Sequence, residues 1–226
     1  MCGRFVQATP AEVIAEVFGL DEVPALSPRF NLAPTQEAGV IRVESGQRRL
    51  VWLRWGLIPS WARKAQIGQR LINARAETLA EKPAFRQALS FRRCLVPATG
   101  FYEWKQEGRV KVPFFFQLRR GGPMAFAGLW ERWEPPQAPA VESFTIITTA
   151  ANAFVGSFHQ RMPAILPEEA WERWLDPTNR NGSTVLPLLR PAPDDWLEAV
   201  PVSRKVNNPT YDAPDCLAPV GAVRSG

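Results

Sequence analysis

The chain has 226 residues, 46% of them hydrophobic, which is enough to bury one sizeable core. Its 27 Lys and Arg residues against 22 Asp and Glu residues give a formal net charge of +5, which permits an anionic partner without requiring one. The three cysteines lie far apart with no Cys-x-x-Cys, and there is one histidine. A disulfide framework, a zinc ribbon and a His-rich metal site are therefore disfavoured, and we expect no metal and a reducing compartment.

No linker, repeat or low-complexity run divides the chain, so the sequence predicts one domain over residues 1–226, with a loose tail after about Pro214. The N-terminus lacks the apolar core of a signal peptide, and no apolar run is long enough to cross a bilayer. We therefore expect neither secretion nor a membrane segment.

The chain begins Met1-Cys2-Gly3-Arg4-Phe5, and its small second residue predicts removal of Met1 by an aminopeptidase. Cys2 would then carry an amine and a thiol on adjacent carbons, with reference pKa values near ~7.7–8.0 and ~8.5, so both are partly deprotonated at neutral pH. Such a pair either attacks an acyl carbon through its thiolate, or condenses with an aldehyde to an imine that the thiol closes to a thiazolidine. Arg4 adds a positive charge beside this nucleophile. The alternative is a cysteine that packs as a small hydrophobe.

Residues 9–20 form the clearest predicted helix. Residues 9–12 have the pattern of a capping box with proline at the first helical position, apolar residues then recur at helical spacing, and Gly19 marks the expected end. Pro24, Pro28 and Pro34 interrupt this stretch and predict an ordered loop over residues 29–36. Residues 40–43 and 49–53 are predicted to form a hairpin whose turn contains Ser45 and Gly46.

The helical spacing of residues 77–91, with Pro83 near the first turns, predicts a second long helix. Further strands are predicted at 94–96, 100–104, 112–118, 124–130, 144–149 and 162–166, with short helices at 150–158 and 167–174. Many short strands with reversing turns and a few helices indicate an α+β fold built on an antiparallel sheet or barrel.

Three polar residues in ordered loops or at strand ends are candidates for acid–base chemistry and positioning. His159 is a candidate proton shuttle, and Glu103 lies between Tyr102 and Trp104, an environment that raises the pKa of a carboxyl. Asn73 is a candidate for orienting the amine of Cys2. Each has a structural alternative: a surface or core histidine, a carboxylate facing water, and a turn former.

Cations and aromatic residues supply candidate contacts to nucleic acid. Arg75 and Arg161 are candidates for binding phosphate, although each could instead pair with a carboxylate. Trp61 lies in a loop with Gly, Pro and nearby cations, a combination typical of proteins that hold single-stranded nucleic acid. Thr149 lies at the end of a predicted apolar strand.

Seven segments together resemble, in order, the motif set of the SRAP (SOS response-associated peptidase) family. The segments are residues 1–5, 29–36, 55–61, 73–78, 100–104, 127–131 and 159–163. The resemblance runs from residue 1 to about residue 208, nearly the whole chain. One departure is Gln160, where the family commonly has an acidic residue; it puts a local carboxylate partner for Arg161 in doubt.

The resemblance implies a single α+β domain around an antiparallel β-barrel-like sheet with a few flanking helices. It also implies a DNA-repair protein that senses abasic sites in single-stranded DNA and cross-links to them through Cys2. By position, Asn73, Glu103 and His159 join Cys2 as the family's active-site residues, and two arginines match its DNA-contacting positions. The full set of DNA-binding candidates is Arg4, Trp61, Arg75, Thr149 and Arg161.

The resemblance further implies that no metal or organic cofactor is needed and that the chain acts as a monomer. It also implies autopeptidase activity, which we interpret as removal of Met1, and lyase cleavage at the imine stage. The expected location is the cytoplasm, with the nucleoid, in a bacterium, or the nucleus in a eukaryote.

Two other functions remain open at the level of sequence. Glutamine amidotransferases also begin Met-Cys-Gly, with the cysteine as acyl nucleophile, although this chain lacks their downstream glycine-rich and Arg/Asp motifs. The other alternative is a module that binds modified DNA without forming a covalent bond, in which Cys2 is incidental.

Overall fold

Antiparallel β-structure dominates the computed structural model, which describes residues 2–221 and 224–225. The strands in chain order are β1 (Phe5–Gln7), β2 (Arg29–Leu32), β3 (Glu37–Glu44), β4 (Gln47–Trp55), β5 (Asn73–Arg75), β6 (Arg93–Ala98), β7 (Gly100–Glu107), β8 (Val110–Leu118), β9 (Met124–Trp133), β10 (Val141–Ala150), β11 (Arg161–Pro163), β12 (Leu197–Pro201) and β13 (Arg224–Ser225). The helices are α1 (Ala11–Phe18), α2 (Arg86–Phe91), α3 (Ala153–Gly156) and α4 (Trp171–Leu175), with short 3₁₀ turns between elements. The predicted α+β class is confirmed.

Five strands close into a small barrel. The order is β4–β3–β6–β9–β10, and β10 returns to β4, so no edge is left along this ring. The β3–β4 hairpin was predicted, and it turns at Ser45 and Gly46, both of which have positive φ. Positive φ at both turn residues matches the right-handed twist of the paired strands, which favours a tight hairpin.

Strand β10 changes partner along its length, and this change positions the site described below. Its first half pairs in parallel with the end of β4, at Ser143 with Arg54. Its second half pairs in parallel with β5, at Ile146 with Asn73 and Thr148 with Arg75. Residues 56–72 therefore leave the sheet and return to the same edge of β10.

The second sheet has the order β13–β12–β8–β7–β1–β2 and is antiparallel throughout. The N-terminal strand β1 lies inside this sheet, paired with β2 on one side and β7 on the other. Phe5 of this strand opposes Phe101 and packs edge-on against Trp55 of the barrel, with ring centroids 5.0 Å apart. The core between the two sheets thus reaches almost to the start of the chain.

The predicted first helix exists, but its predicted capping box is wrong. The helix starts after Pro10 and no side chain caps it; the Thr9 hydroxyl instead lies 3.0 Å from the hydroxyl of Thr99. Gly19 ends the helix in the left-handed conformation, as predicted. The buried face includes Phe18, whose ring stacks on Trp171.

The predicted helix over residues 77–91 is also wrong, because only its last turns, α2, are helical. Pro83 disfavours the helical region for the residue before it and has no N–H to donate, so residues 76–85 form successive turns instead. The predicted loop at 29–36 contains β2, which forms because its own four residues are free of proline.

Part of the segment after Pro214, which was expected to be loose, makes contacts with the rest of the fold, although residues 218–221 are exposed. Residues 214–217 form a 3₁₀ turn in which Cys216 is fully buried, and Pro219 bridges to Val202. Residues 222, 223 and 226 lie outside the description. Among the described residues, no helix combines the length and the apolar character needed to cross a membrane.

One buried arginine holds the helical side of the barrel together. The Arg93 guanidinium donates to five backbone carbonyls from three segments. The acceptors are Leu89, Ser90, Trp174, Asp176 and Asn179. These bonds satisfy carbonyls at the ends of α2 and α4, which have no helical partner of their own.

We predict that Arg93→Met lowers the free energy of unfolding by roughly 3 kcal/mol, because it leaves several carbonyls unpaired in a buried position. Urea denaturation monitored by circular dichroism measures the change. The exposed Arg190 provides a control, and Arg190→Met should change stability little. Equal stability of the two variants would show that these carbonyls find other partners.

Candidate functional site

Cys2 lies fully buried just before β1, in the core between the barrel and the second sheet. Its thiol is directed at the carbonyl of Arg4, at 3.9 Å. Burial raises the pKa of the Cys2 thiol, and the nearby carboxylate of Glu103 raises it further. In the chain as written, the nitrogen of Cys2 is part of the peptide bond to Met1, a residue outside the described part.

Asn73 contacts Cys2 directly. Its side-chain amide donates to the carbonyl of Cys2 at 2.9 Å, because the pairing of β5 with β10 carries it there. The other end of the amide, Oδ1, is buried and accepts no hydrogen bond within the described part of the chain. A buried acceptor without a donor is costly, so this oxygen is suited to a donor that arrives later.

Glu103 lies on β7, next to β1, and only 4% of it is exposed. Burial raises the pKa of this carboxyl, and the neighbouring His159 acts in the opposite direction. The alternative of a carboxylate that faces water therefore does not describe Glu103. Glu103 raises the pKa of the Cys2 thiol, and His159 lowers the pKa of Glu103, so the carboxyl lies near both groups.

His159 follows helix α3, which is capped by the side chain of Asn152. The backbone N–H of Arg161 donates to the Nδ1 atom of His159 at 2.9 Å. A nitrogen that accepts this bond carries no proton, so the neutral ring carries its proton on Nε2. Nδ1 also lies 3.2 Å from the carbonyl of Arg161, so the backbone of Arg161 holds the orientation of the ring, and the shorter contact to its N–H favours this tautomer.

Arg161 has a carboxylate partner that sequence reasoning did not identify. Its guanidinium makes a bidentate pair with Glu77, at 2.6 and 2.9 Å, and donates to the carbonyl of Thr148. The doubt raised by Gln160 is thus answered by a residue 84 positions away in sequence. The Nε of Arg161 is buried and has no acceptor among the described residues.

The other DNA-binding candidates occupy different settings. Arg75 is exposed on β5, two residues from Asn73 and so on the same face of the strand. Thr149 is buried, with only 5% of its surface exposed. Trp61 is 58% exposed, in the loop between β4 and β5. That loop is anchored where the indole of Trp133 donates to the carbonyl of Ala62, at 2.7 Å.

Arg4 has structural partners rather than a free guanidinium. Its Nη1 donates to Oδ1 of Asn31 and to the carbonyl of Val206, at 2.8 and 2.7 Å. Burial lowers the pKa of this group. These contacts tie the N-terminal residues to the C-terminal part of the fold, and its contact to phosphate remains a prediction.

Among residues 2–221, no three His, Cys, Asp or Glu side chains are grouped so as to hold a metal ion. The arrangement around Cys2 instead combines a buried thiol, an amide, a carboxyl of raised pKa and an imidazole. This set is suited to proton transfer and to covalent chemistry at a nucleophile.

The family model "SOS response associated peptidase (SRAP)" matches residues 1–209. The chain belongs to the SRAP family. The strands, the barrel and the segments that carry Cys2, Asn73, Glu103 and His159 all lie within this match, except for β13.

Similar proteins include the abasic site processing protein YoqW of Bacillus subtilis, which is 42% identical over 221 residues, covering 96% of this chain and 99% of that protein. The abasic site processing protein HMCES of Gallus gallus is 33% identical over 225 residues, covering 85% of this chain and 66% of that protein. A crystal structure of a protein from Bacteroides thetaiotaomicron matches with a TM-score of 0.86 at 27% identity, covering 97% of this chain and all of that one. Both sequence relatives are named for the same substrate.

The pairing of Glu77 with Arg161 yields a prediction about titration. The two hydrogen bonds from Arg161 hold the pKa of Glu77 below its usual range. A lowered pKa in the folded state means that the pair stabilises the fold above the ordinary pKa of Glu, and that this contribution is lost as pH falls through the folded value.

In Arg161→Met, we expect the pKa of Glu77 to rise towards its ordinary value near ~4.3. Carboxyl ¹³C NMR titration measures it. Arg190→Met removes an exposed positive charge elsewhere and should leave the titration of Glu77 unchanged. If Glu77 titrates alike in wild type and Arg161→Met, the ion pair does not form in solution.

Proposed function

We propose that this SRAP protein recognises abasic sites in single-stranded DNA and joins itself to them through Cys2. The observation that carries the proposal is the contact of Asn73 with Cys2. One end of the amide holds the Cys2 carbonyl at 2.9 Å, and the other end is a buried acceptor with no donor among the described residues. Removal of Met1 would create at Cys2 a free amine, the kind of donor that this oxygen lacks.

The reaction begins with the ring-opened form of the abasic deoxyribose, which carries an aldehyde. The amine of Cys2 adds to the aldehyde carbon, and loss of water gives an imine. The thiol of Cys2 then adds across the C=N bond and closes a five-membered thiazolidine, and the proton of the thiol passes to nitrogen. The aldehyde is thereby converted to a saturated carbon, which no longer promotes β-elimination of the strand.

Glu103 and His159 supply the proton transfers. Addition to the aldehyde and loss of water require a group that gives and then takes a proton, and a buried carboxyl whose pKa is raised is suited to holding and releasing that proton. His159 presents Nε2 with its proton, because Nδ1 is occupied by the backbone of Arg161. Nε2 is suited to donate this proton to the ring oxygen of the sugar as the ring opens.

Arg75 and Arg161 bind the phosphates beside the abasic sugar. Arg75 is exposed on the strand that carries Asn73, so its charge lies close to the reacting residue. A phosphate that reaches Arg161 competes with Glu77 and finds the buried Nε still without an acceptor. Bidentate geometry suits phosphate as well as carboxylate.

The preference for a single strand follows from the burial of Cys2. A sugar must leave a stacked duplex to reach a buried nucleophile, and this costs a few kcal/mol less when the strand is unpaired. We further propose that the chain acts as a monomer, that the imine stage permits some lyase cleavage, and that removal of Met1 is the peptidase step.

The first test mixes the protein with abasic single-stranded DNA and separates the products by denaturing electrophoresis. A heat-stable adduct supports the proposal. An N-terminal-nucleophile amidohydrolase would instead release ammonia from glutamine, and a non-covalent binding module would bind intact and abasic strands equally and form no adduct.

We predict that Cys2→Ala abolishes the stable adduct, because it keeps the α-amine but removes the thiol that closes the ring. Borohydride should still trap an imine, and some strand cleavage should remain. An additional residue in front of Cys2 should abolish both products, since it converts the amine to an amide. A stable adduct of Cys2→Ala without reductant would rule out the thiazolidine.

We predict that Glu103→Gln slows adduct formation and adduct reversal by comparable factors of roughly 10²–10⁴, since the same proton shuttle serves both directions. The substitution keeps the shape and removes the titrating proton. Time courses of both processes across pH provide the measurement, and the variant should lose the pH dependence that arises from this carboxyl. Wild-type rates in both directions would assign Glu103 a structural role.

A further inference from the structure

A sizeable cleft lies outside the Cys2 site. It has a volume of about 900 Å³ and lies between helix α2, the turn at residues 180–183 and the loop that carries Trp61. Its lining residues are Trp61, Ala80, Pro83, Arg86, Gln87, Leu89, Ser90, Arg180, Asn181, Gly182 and Ser183. Most of them are exposed, so the cleft is an open groove rather than an enclosed cavity.

This groove adjoins the strand that carries the reactive site. Trp61 comes from the segment just before β5, and Ala80 from the turns just after it. Residues 76–85 form successive turns, and Ala80 lies three residues after Glu77, the carboxylate partner of Arg161. The groove therefore lies next to the chain segment that pairs with Arg161.

The charge of the groove suits a phosphate backbone. Its lining contains Arg86 and Arg180 and no carboxylate. Both arginines are exposed and neither has an acidic partner among the ion pairs of the described chain. Two uncompensated cations in one groove attract an anion, and the side chains of Gln87 and Asn181 add hydrogen-bonding groups.

One exposed aromatic ring lines the groove, and a second lies beside its Arg180. Trp61 is 58% exposed on the wall of the groove, and Phe91, at the end of α2, is 53% exposed. The guanidinium of Arg180 lies over the Phe91 ring, 5.8 Å from its centroid. Aromatic faces interleaved with cations along a groove are how proteins hold single-stranded nucleic acid without reading its sequence.

We propose that this groove holds the nucleotides that flank the abasic site on one side. The inference rests on the proposed function, since it names where the remainder of that strand binds. Trp61 stacks on a base, while Arg86 and Arg180 bind backbone phosphates. The volume lies within the range of about 300–1,000 Å³ typical of ligand sites, so it accommodates at least one nucleotide. Because stacking and phosphate contacts do not depend on base identity, the groove confers affinity without sequence preference.

The test uses abasic single strands of three designs: a short strand with about two nucleotides on each side, and two strands extended on the 5′ or the 3′ side alone. Cross-linking rates at low DNA concentration, and fluorescence anisotropy with unmodified strands, are measured for each. Arg180→Glu and Trp61→Ala alter the groove. Trp61→Phe keeps a stacking ring, and Arg109→Glu, in the turn after β7, makes the same change of charge elsewhere.

We expect Arg180→Glu to reduce affinity and cross-linking rate about tenfold or more for one of the extended strands. For the short strand, the reduction should be less than about twofold. The slope of log affinity against log salt should become smaller by about 0.7 for each lost phosphate contact. Trp61→Ala should show the same dependence on length, and Trp61→Phe should retain most of the wild-type affinity. Arg109→Glu should affect all strands equally and weakly. Thermal melts confirm that each variant is folded.

The outcomes distinguish failure of the groove inference from failure of the proposed function. If the wild type cross-links but the groove variants match Arg109→Glu on every strand, the groove inference is overturned and the proposed function stands. If the wild type forms no adduct while the groove variants still lose affinity for extended unmodified strands, the groove stands and the proposed function fails. If a free deoxynucleoside monophosphate competes as well as an extended strand does, the groove is a site for a small nucleotide and the inference is overturned.

Discussion

The pairing of β1 on both of its edges is the constraint on which the site depends. A chain end usually frays, yet here the residues that follow Cys2 are hydrogen-bonded to β2 and to β7, and Phe5 is locked against Trp55. Arg4 adds a tie to Asn31 and to Val206. Cys2, near the start of the chain, thereby acquires the fixed position that normally belongs to the middle of a domain, which is what the covalent chemistry proposed for it requires.

The second organising feature is the exchange of partners along β10. Because β4 leaves this edge at Trp55 and β5 takes its place at Asn73, a short strand is inserted where a longer β4 would otherwise continue. The same end of β10 pairs with β11, which carries Arg161. One strand thus gathers the amide that contacts Cys2 and the arginine that pairs with Glu77, while His159 lies two residues before β11. The intervening segment, 56–72, is free to carry Trp61 outward to the groove.

Local signals explain which parts of the fold were predictable. The β3–β4 hairpin was predictable because strand-forming residues flank a turn at Ser45 and Gly46, and both of these residues adopt positive φ. The residues around Cys2 stand out because an N-terminal cysteine has distinctive chemistry wherever it folds. The helical spacing of residues 77–91 gave a wrong helix prediction. Apolar periodicity does not show where Pro83 interrupts the hydrogen bonds of a helix.

Long-range pairings were not predictable from one sequence. The parallel contact of Arg54 with Ser143 that closes the barrel, and the pairing of Glu77 with Arg161, each join residues more than 80 positions apart. Neither residue type nor spacing specifies them. The same holds for the groove, whose two arginines come from helix α2 and from the turn at residues 180–183, which meet only in the folded chain.

The tie between Arg4 and Val206 also has a consequence for the order of events during synthesis. At about 5–20 residues per second, the ribosome needs roughly 10–40 s to reach the carbonyl that completes this contact. The strand that fixes Cys2 therefore cannot be fully enclosed until nearly the whole chain has been made. The nascent N-terminus stays accessible throughout that interval, before the fold encloses Cys2.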